Sequence, residues 1–129
     1  MIGGKVLDTS AIIQFATRRS VYAHAVVWSA VDGDAVLAVP TVALARAWAS
    51  IDPDHHAALD VLVGLPVVVL DCMDPSAREV GLFLAGSGST DVVVGAVAWC
   101  ALRRGWPVVT AEPGPLHAVD RAVQIERLP

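Results

Sequence analysis

The chain has 129 residues, enough for one domain (1–129) built on a single core. With 55% hydrophobic and 17% charged residues it is too apolar to be a disordered segment. Its net charge of −4 argues against nucleic-acid binding by bulk charge, but leaves room for a local basic rim around an acidic site.

The opening residues, MIGGKVLDTS, contain no apolar stretch of secretory length, so no signal peptide is expected. Residues 5–8 form the first short apolar run with strand character, and 9–17 and 21–31 read as helices. A second strand is expected at 35–39, followed by helices at 41–50 and 54–63. The third strand falls at 67–70, then a helix at 75–84 and a loop, GSGST, at 86–90. The clearest helix is 91–104: Thr90 can cap it, Asp91 complements its N-terminal dipole, and Arg103, Arg104 and Gly105 close it. A fourth strand follows at 108–111. The last, at 123–127 (VQIER), alternates apolar and polar residues as an edge strand does.

Strands alternating with helices imply βαβ units and a parallel sheet with helices on both faces, an α/β fold. The longest uncharged apolar run, 92–102, is shorter than the roughly 20 residues a membrane span needs, so no membrane association is expected. Cys72 and Cys100 read as buried free thiols of a reducing, cytoplasmic environment. The four histidines are scattered, and His55 and His56, as adjacent helical residues, do not share a face, so a zinc site is not expected. Trp28, Trp48 and Trp99 lie in apolar helices and suit core or dimer packing better than base stacking. Of the two arginine pairs, Arg103-Arg104 is explained by a helix end, and Arg18-Arg19 could touch an RNA backbone.

In open α/β sheets the functional crevice lies at the carboxyl ends of the strands. Asp8 ends the first strand, Glu112 follows the fourth, and Asp91 opens the helix that leads into that strand. Arg46 is the only charge in the apolar stretch VPTVALARAWASI, where an unpaired buried cation would cost several kcal/mol. It must therefore reach water or a carboxylate. These four residues are expected to converge at one edge of the sheet.

The segments VLDTSAII, VPTVALARAW and TDVVVGAVAWCALRRGWPVVTAEP resemble, in order and over nearly the whole chain, a PIN domain of the VapC toxin type. The resemblance implies a single PIN-like domain with a parallel sheet of four to five strands flanked by helices. It also implies a Mg²⁺- or Mn²⁺-dependent endoribonuclease that cleaves RNA, forms a homodimer and pairs with a small antitoxin protein. Clustered carboxylates suit such an ion because it prefers oxygen ligands and keeps several waters. By this resemblance Asp8, Asp91 and Glu112 are the catalytic metal ligands, with Ser10 and Thr110 beside them.

The sequence departs from the family pattern at two places. Arg46 stands six residues after Pro40, where the family has glutamate, and Val94 occupies the usual seat of a third acid, one turn after Asp91. Arg46 then contacts the substrate phosphate or substitutes for the metal by forking onto Asp8 or Asp91. The second case describes a pseudo-enzyme, a non-catalytic PIN-like module that binds RNA or protein. A receiver-type signalling domain is disfavoured, since it would need paired acids after the first strand and a late lysine, and Lys5 is the last lysine.

Overall fold

A computed structural model describes residues 3–129. Five strands, β1 (Gly4–Leu7), β2 (Val36–Pro40), β3 (Val68–Asp71), β4 (Val108–Thr110) and β5 (Ile125–Arg127), form one sheet in the order β3-β2-β1-β4-β5. Every neighbouring pair is parallel, with Val6 level with Ala38 on one side and Val108 on the other. The helices are α1 (Thr9–Thr17), α2 (Val21–Gly33), α3 (Thr41–Ser50), α4 (His56–Gly64), α5 (Ala77–Ser87), α6 (Val92–Arg104) and α7 (Pro113–Val119). Short 3₁₀ turns, Pro53–His55 and Asp74–Ser76, lead into α4 and α5.

The expected α/β architecture and five strands are present, and β5 is an edge strand as its alternation implies. Connections from β1 run outward to β2 and β3, then return across the sheet to β4 and β5. Right-handed crossovers in opposite directions put helices on opposite faces. The chain reverses direction between β1 and β4, and this switch point opens a crevice above the two central strands.

The centre of the sheet is dry: Val6, Leu37, Ala38, Val108 and Val109 have no exposed surface. Helix α6 crosses β1, β2 and β4, and its buried residues are Val97, Cys100 and the small Gly95, Ala96, Ala98 and Ala101. A Cβ at position 95 would stand 2.5 Å from Leu84 Cγ, so glycine is what lets α5 lie directly on α6.

Several expectations need correction. Helix α7 was not anticipated, because EPGPLHAV carries two prolines and a glycine. Both prolines occupy the first turn, where no backbone N–H is needed, so they start the helix instead of breaking it. Asp91, not Thr90, caps α6, accepting from the amides of Val93 and Val94. Cys72 is exposed just beyond the end of edge strand β3, whereas Cys100 is buried in α6 as expected. Trp28 is 42% exposed and therefore not a core residue, while Trp48 packs partly buried against the core. No single helix among the described residues is long and apolar enough to cross a membrane.

Candidate active site

Asp8 leaves β1 in extended conformation and caps α1. Its Oδ1 accepts from the amide of Ala11 at 2.9 Å and from the Ser10 hydroxyl at 2.7 Å. Burial holds the Asp8 pKa above its ordinary value, the nearby Glu112 charge adds to the shift, and hydrogen bonds from Ser10, Thr110 and the Ala11 amide oppose it. The net rise describes a carboxylate that lacks a compensating cation.

Ser10 joins the exits of the two central strands. While its hydroxyl donates to Asp8, its oxygen accepts from the Ala111 amide at 2.9 Å, just past β4. Thr110, fully buried at the end of β4, lies 3.4 Å from the Ser10 hydroxyl. Its Oγ1 accepts from the Glu112 amide at 2.9 Å, a side-chain turn that bends the chain away from the strand. Glu112 is thus presented at the mouth of α7. Its exposed carboxylate has no hydrogen bond or ion pair among the described residues.

Arg46 lies on the second turn of α3, which begins directly after Pro40 at the end of β2. Thr9 Oγ1 donates to the Ala43 carbonyl at 3.2 Å and ties this helix to the start of α1. The guanidinium does not lie buried among apolar side chains: it is half exposed, with Nη2 3.6 Å from Asp91 Oδ1. That separation is an ion pair beyond hydrogen-bond length, between groups 49% and 41% exposed. The same Asp91 oxygen is already engaged by the α6 amides at 3.1 and 3.2 Å.

These elements enclose a cavity of about 180 Å³ at the switch point. Asp8, Thr9, Ser10, Arg46 and Glu112 form its polar wall, and Ile13, Val93, Val94, Val97 and Leu116 its apolar one. Of the residues expected at the site, Asp8, Ser10, Arg46 and Glu112 line this space, and Thr110 supports it from beneath. Asp91 is not among the lining residues and serves as cap of α6 and partner of Arg46. Val94, one turn after Asp91, lines the cavity with an apolar side chain.

The donor set bears on the metal question. Among the described residues no three His, Cys, Asp or Glu side chains stand together as a ligand group. Asp8 and Glu112 do face one cavity and oppose each other's charge. Mg²⁺ binds through one or two carboxylates with water and substrate oxygens completing its shell, so these two acids fit a hydrated ion. Asp91 does not join them.

The apolar wall is the part that sequence reasoning missed, because its residues come from α1, α6 and α7 and only the fold assembles them. Also missed was an ionic cluster at the end of β3. There Asp71 accepts from Arg103 Nη2 at 2.7 Å and from Arg104 Nε at 3.4 Å. The strand-end rule that selects Asp8 would also have selected Asp71.

No protein-family model and no curated protein matches the chain. Among solved structures, PAE2754 from Pyrobaculum aerophilum superposes with a TM-score of 0.67 at 20% identity, over 97% of this chain and 92% of that one. A chain of VapBC2 from Rickettsia felis, solved bound to a DNA fragment from their promoter, superposes with a TM-score of 0.71 at 12% identity over the full length of both. At these identities the likeness is one of fold, a PIN-like α/β arrangement.

Proposed function

We propose that this chain is the toxin-type member of a toxin–antitoxin pair and a metal-dependent endoribonuclease whose acidic site is reduced to two carboxylates. One observation carries the reading: Asp8, Glu112 and Arg46 face a single cavity at the switch point of a PIN-like fold.

Asp8 and Glu112 would hold Mg²⁺ or Mn²⁺, which supplies an activated water and neutralises phosphate charge. Arg46 grips a non-bridging phosphate oxygen through its planar fork, exchanging the loose contact with Asp91 for a shorter charge-assisted bond. Ser10 orients the Asp8 carboxylate and ties the exits of β1 and β4 together, and Thr110 sets the backbone turn that carries Glu112. Partners consistent with this reading are RNA, a small antitoxin protein, as the likeness to VapBC2 suggests, and a second copy of the chain, in the cytoplasm.

A second reading, a non-catalytic binding module, is favoured by one observation: Asp91 is engaged by the α6 amides and by Arg46 and adds no third acid to the cavity. Incubating the pure protein with mixed fluorogenic RNAs and Mn²⁺ or Mg²⁺, beside Asp8→Asn and a chelator control, separates the two. Metal-dependent cleavage that disappears in the variant is expected. Cleavage no greater than the variant's background with both ions would leave the binding module.

A further inference from the structure

We propose that the apolar half of the cavity is a nucleobase pocket, which seats one unpaired base of the RNA strand beside the phosphodiester held by Arg46 and the two carboxylates. The inference rests on the ribonuclease reading above and names what that site recognises next to the phosphate.

The cavity has two walls of opposite chemistry. A hydrated ion and a phosphate are served by Asp8, Glu112 and Arg46 on one side. Ile13, Val93, Val94, Val97 and Leu116 on the other side offer neither of them a ligand or a charge. These side chains converge from three helices, and a void lined by them gains when a planar apolar surface displaces its water. At about 180 Å³ the space is smaller than the roughly 300 Å³ at which pockets begin to admit drug-sized ligands. It suits a single heterocycle, with the ribose and phosphate left at the polar mouth where Arg46 stands.

The polar groups near the pocket are mostly engaged. Thr9 donates to the Ala43 carbonyl, and Ser10 is bonded to both Asp8 and the Ala111 amide. A seated base therefore meets shape and apolar contact but few free donors, and one base is told from another only weakly. The requirement is instead that the base be unstacked, since a base held in a duplex cannot leave its neighbours without an unstacking cost. Preference for an unpaired nucleotide with little sequence preference follows.

The test is fluorescence-anisotropy binding of the full chain to a short unstructured RNA, with Ca²⁺ in place of Mg²⁺ to suppress turnover. The same RNA is also prepared with one abasic ribonucleotide at successive positions. Removing the base at one position is expected to weaken binding roughly tenfold, the scale of one buried apolar group of that size. Val94→Phe, which fills the pocket, should bind the intact RNA as weakly as the wild type binds the abasic one. Ile13→Phe fills it from another helix, and either variant is read only where its melting temperature matches the wild type. Equal binding of intact and abasic RNA overturns the pocket but leaves the RNA reading standing, with the apolar wall left to a protein side chain. Failure to bind any of the RNAs removes both.

Discussion

Arg46 Nη2 lies 3.6 Å from Asp91 Oδ1, so the arginine that lines the cavity is paired with a carboxylate that does not. This explains the lone charge in an apolar helix: α3 buries Ala43, Leu44 and Ala47 against the core and turns position 46 toward the crevice. It also explains why the pair can be given up to a substrate. Exposed ion pairs are worth about 0–1 kcal/mol, so little is lost when a phosphate replaces Asp91.

Arg46→Ala should therefore leave stability nearly unchanged, shifting the urea midpoint by less than experimental scatter, while weakening RNA binding. If Arg46 neutralises one phosphate, the slope of log affinity against log salt should fall by about one. An unchanged salt slope would place Arg46 outside the RNA interface.

Arg46→Glu would put an acid at the rim beside Asp8 and Glu112. The variant should bind Mn²⁺ more tightly than wild type, measured by calorimetry, because a cation is exchanged for a ligand. If affinity does not rise, position 46 cannot reach the ion held by Asp8 and Glu112.

Asp8 gives a pH signature. Burial raises its pKa above the ordinary 3.8, so between that value and the raised one the native state binds more protons than the unfolded chain. Its contribution to stability is complete below the unfolded value and is lost as pH rises through the folded one. Asp8→Asn keeps an oxygen to accept from Ala11 and removes the charge. The variant should melt at a higher temperature than wild type at pH 7, with the gap closing below about pH 3.8. Adding Mn²⁺ should raise the melting temperature of the wild type and not of the variant.

Ser10→Ala removes the link between Asp8 and the Ala111 amide. Leaving such a part-buried donor without its partner costs about 1–3 kcal/mol. Urea unfolding should show a loss in that range, and any cleavage should fall with it, because Asp8 loses the hydroxyl that orients it and the exits of β1 and β4 lose their link. A loss below about 0.5 kcal/mol, the low end for one hydrogen bond, would mean that water satisfies the Ala111 amide.

The cluster around Asp71 should respond to acid in the opposite sense. Burial pushes this carboxyl upward, but hydrogen bonds from Cys100 and Arg103 and the charges of Arg103 and Arg104 outweigh it, and the pKa is lowered. Its stabilisation is present above the ordinary 3.8 and lost as pH falls through the lowered value. Asp71→Asn should thus destabilise at pH 7 and matter little in strong acid. Next to it, burial and Asp71 push the Cys100 thiol up to about 12. A thiol reagent at neutral pH should accordingly modify exposed Cys72 at once and Cys100 only on unfolding.

The pattern of the chain alone determined the elements and their class. β-branched runs ending at Asp8 and before Glu112, and a helix closed by Arg103, Arg104 and Gly105, are local features, and local propensity places them to within a residue or two. Five strands alternating with helices implied a parallel sheet with helices on both faces, though not its strand order, and the strand-end rule pointed to Asp8 and Glu112 without coordinates. The partner of Arg46 was not legible, because a long side chain's choice between Asp8 and Asp91 depends on the angle at which α3 meets α6. Nor was α7, where two prolines look like breakers until their place in the first turn is known. The division of the cavity into polar and apolar halves was equally hidden. It arises from Ile13, Val94 and Leu116, side chains far apart in sequence that only packing across three helices brings to one space.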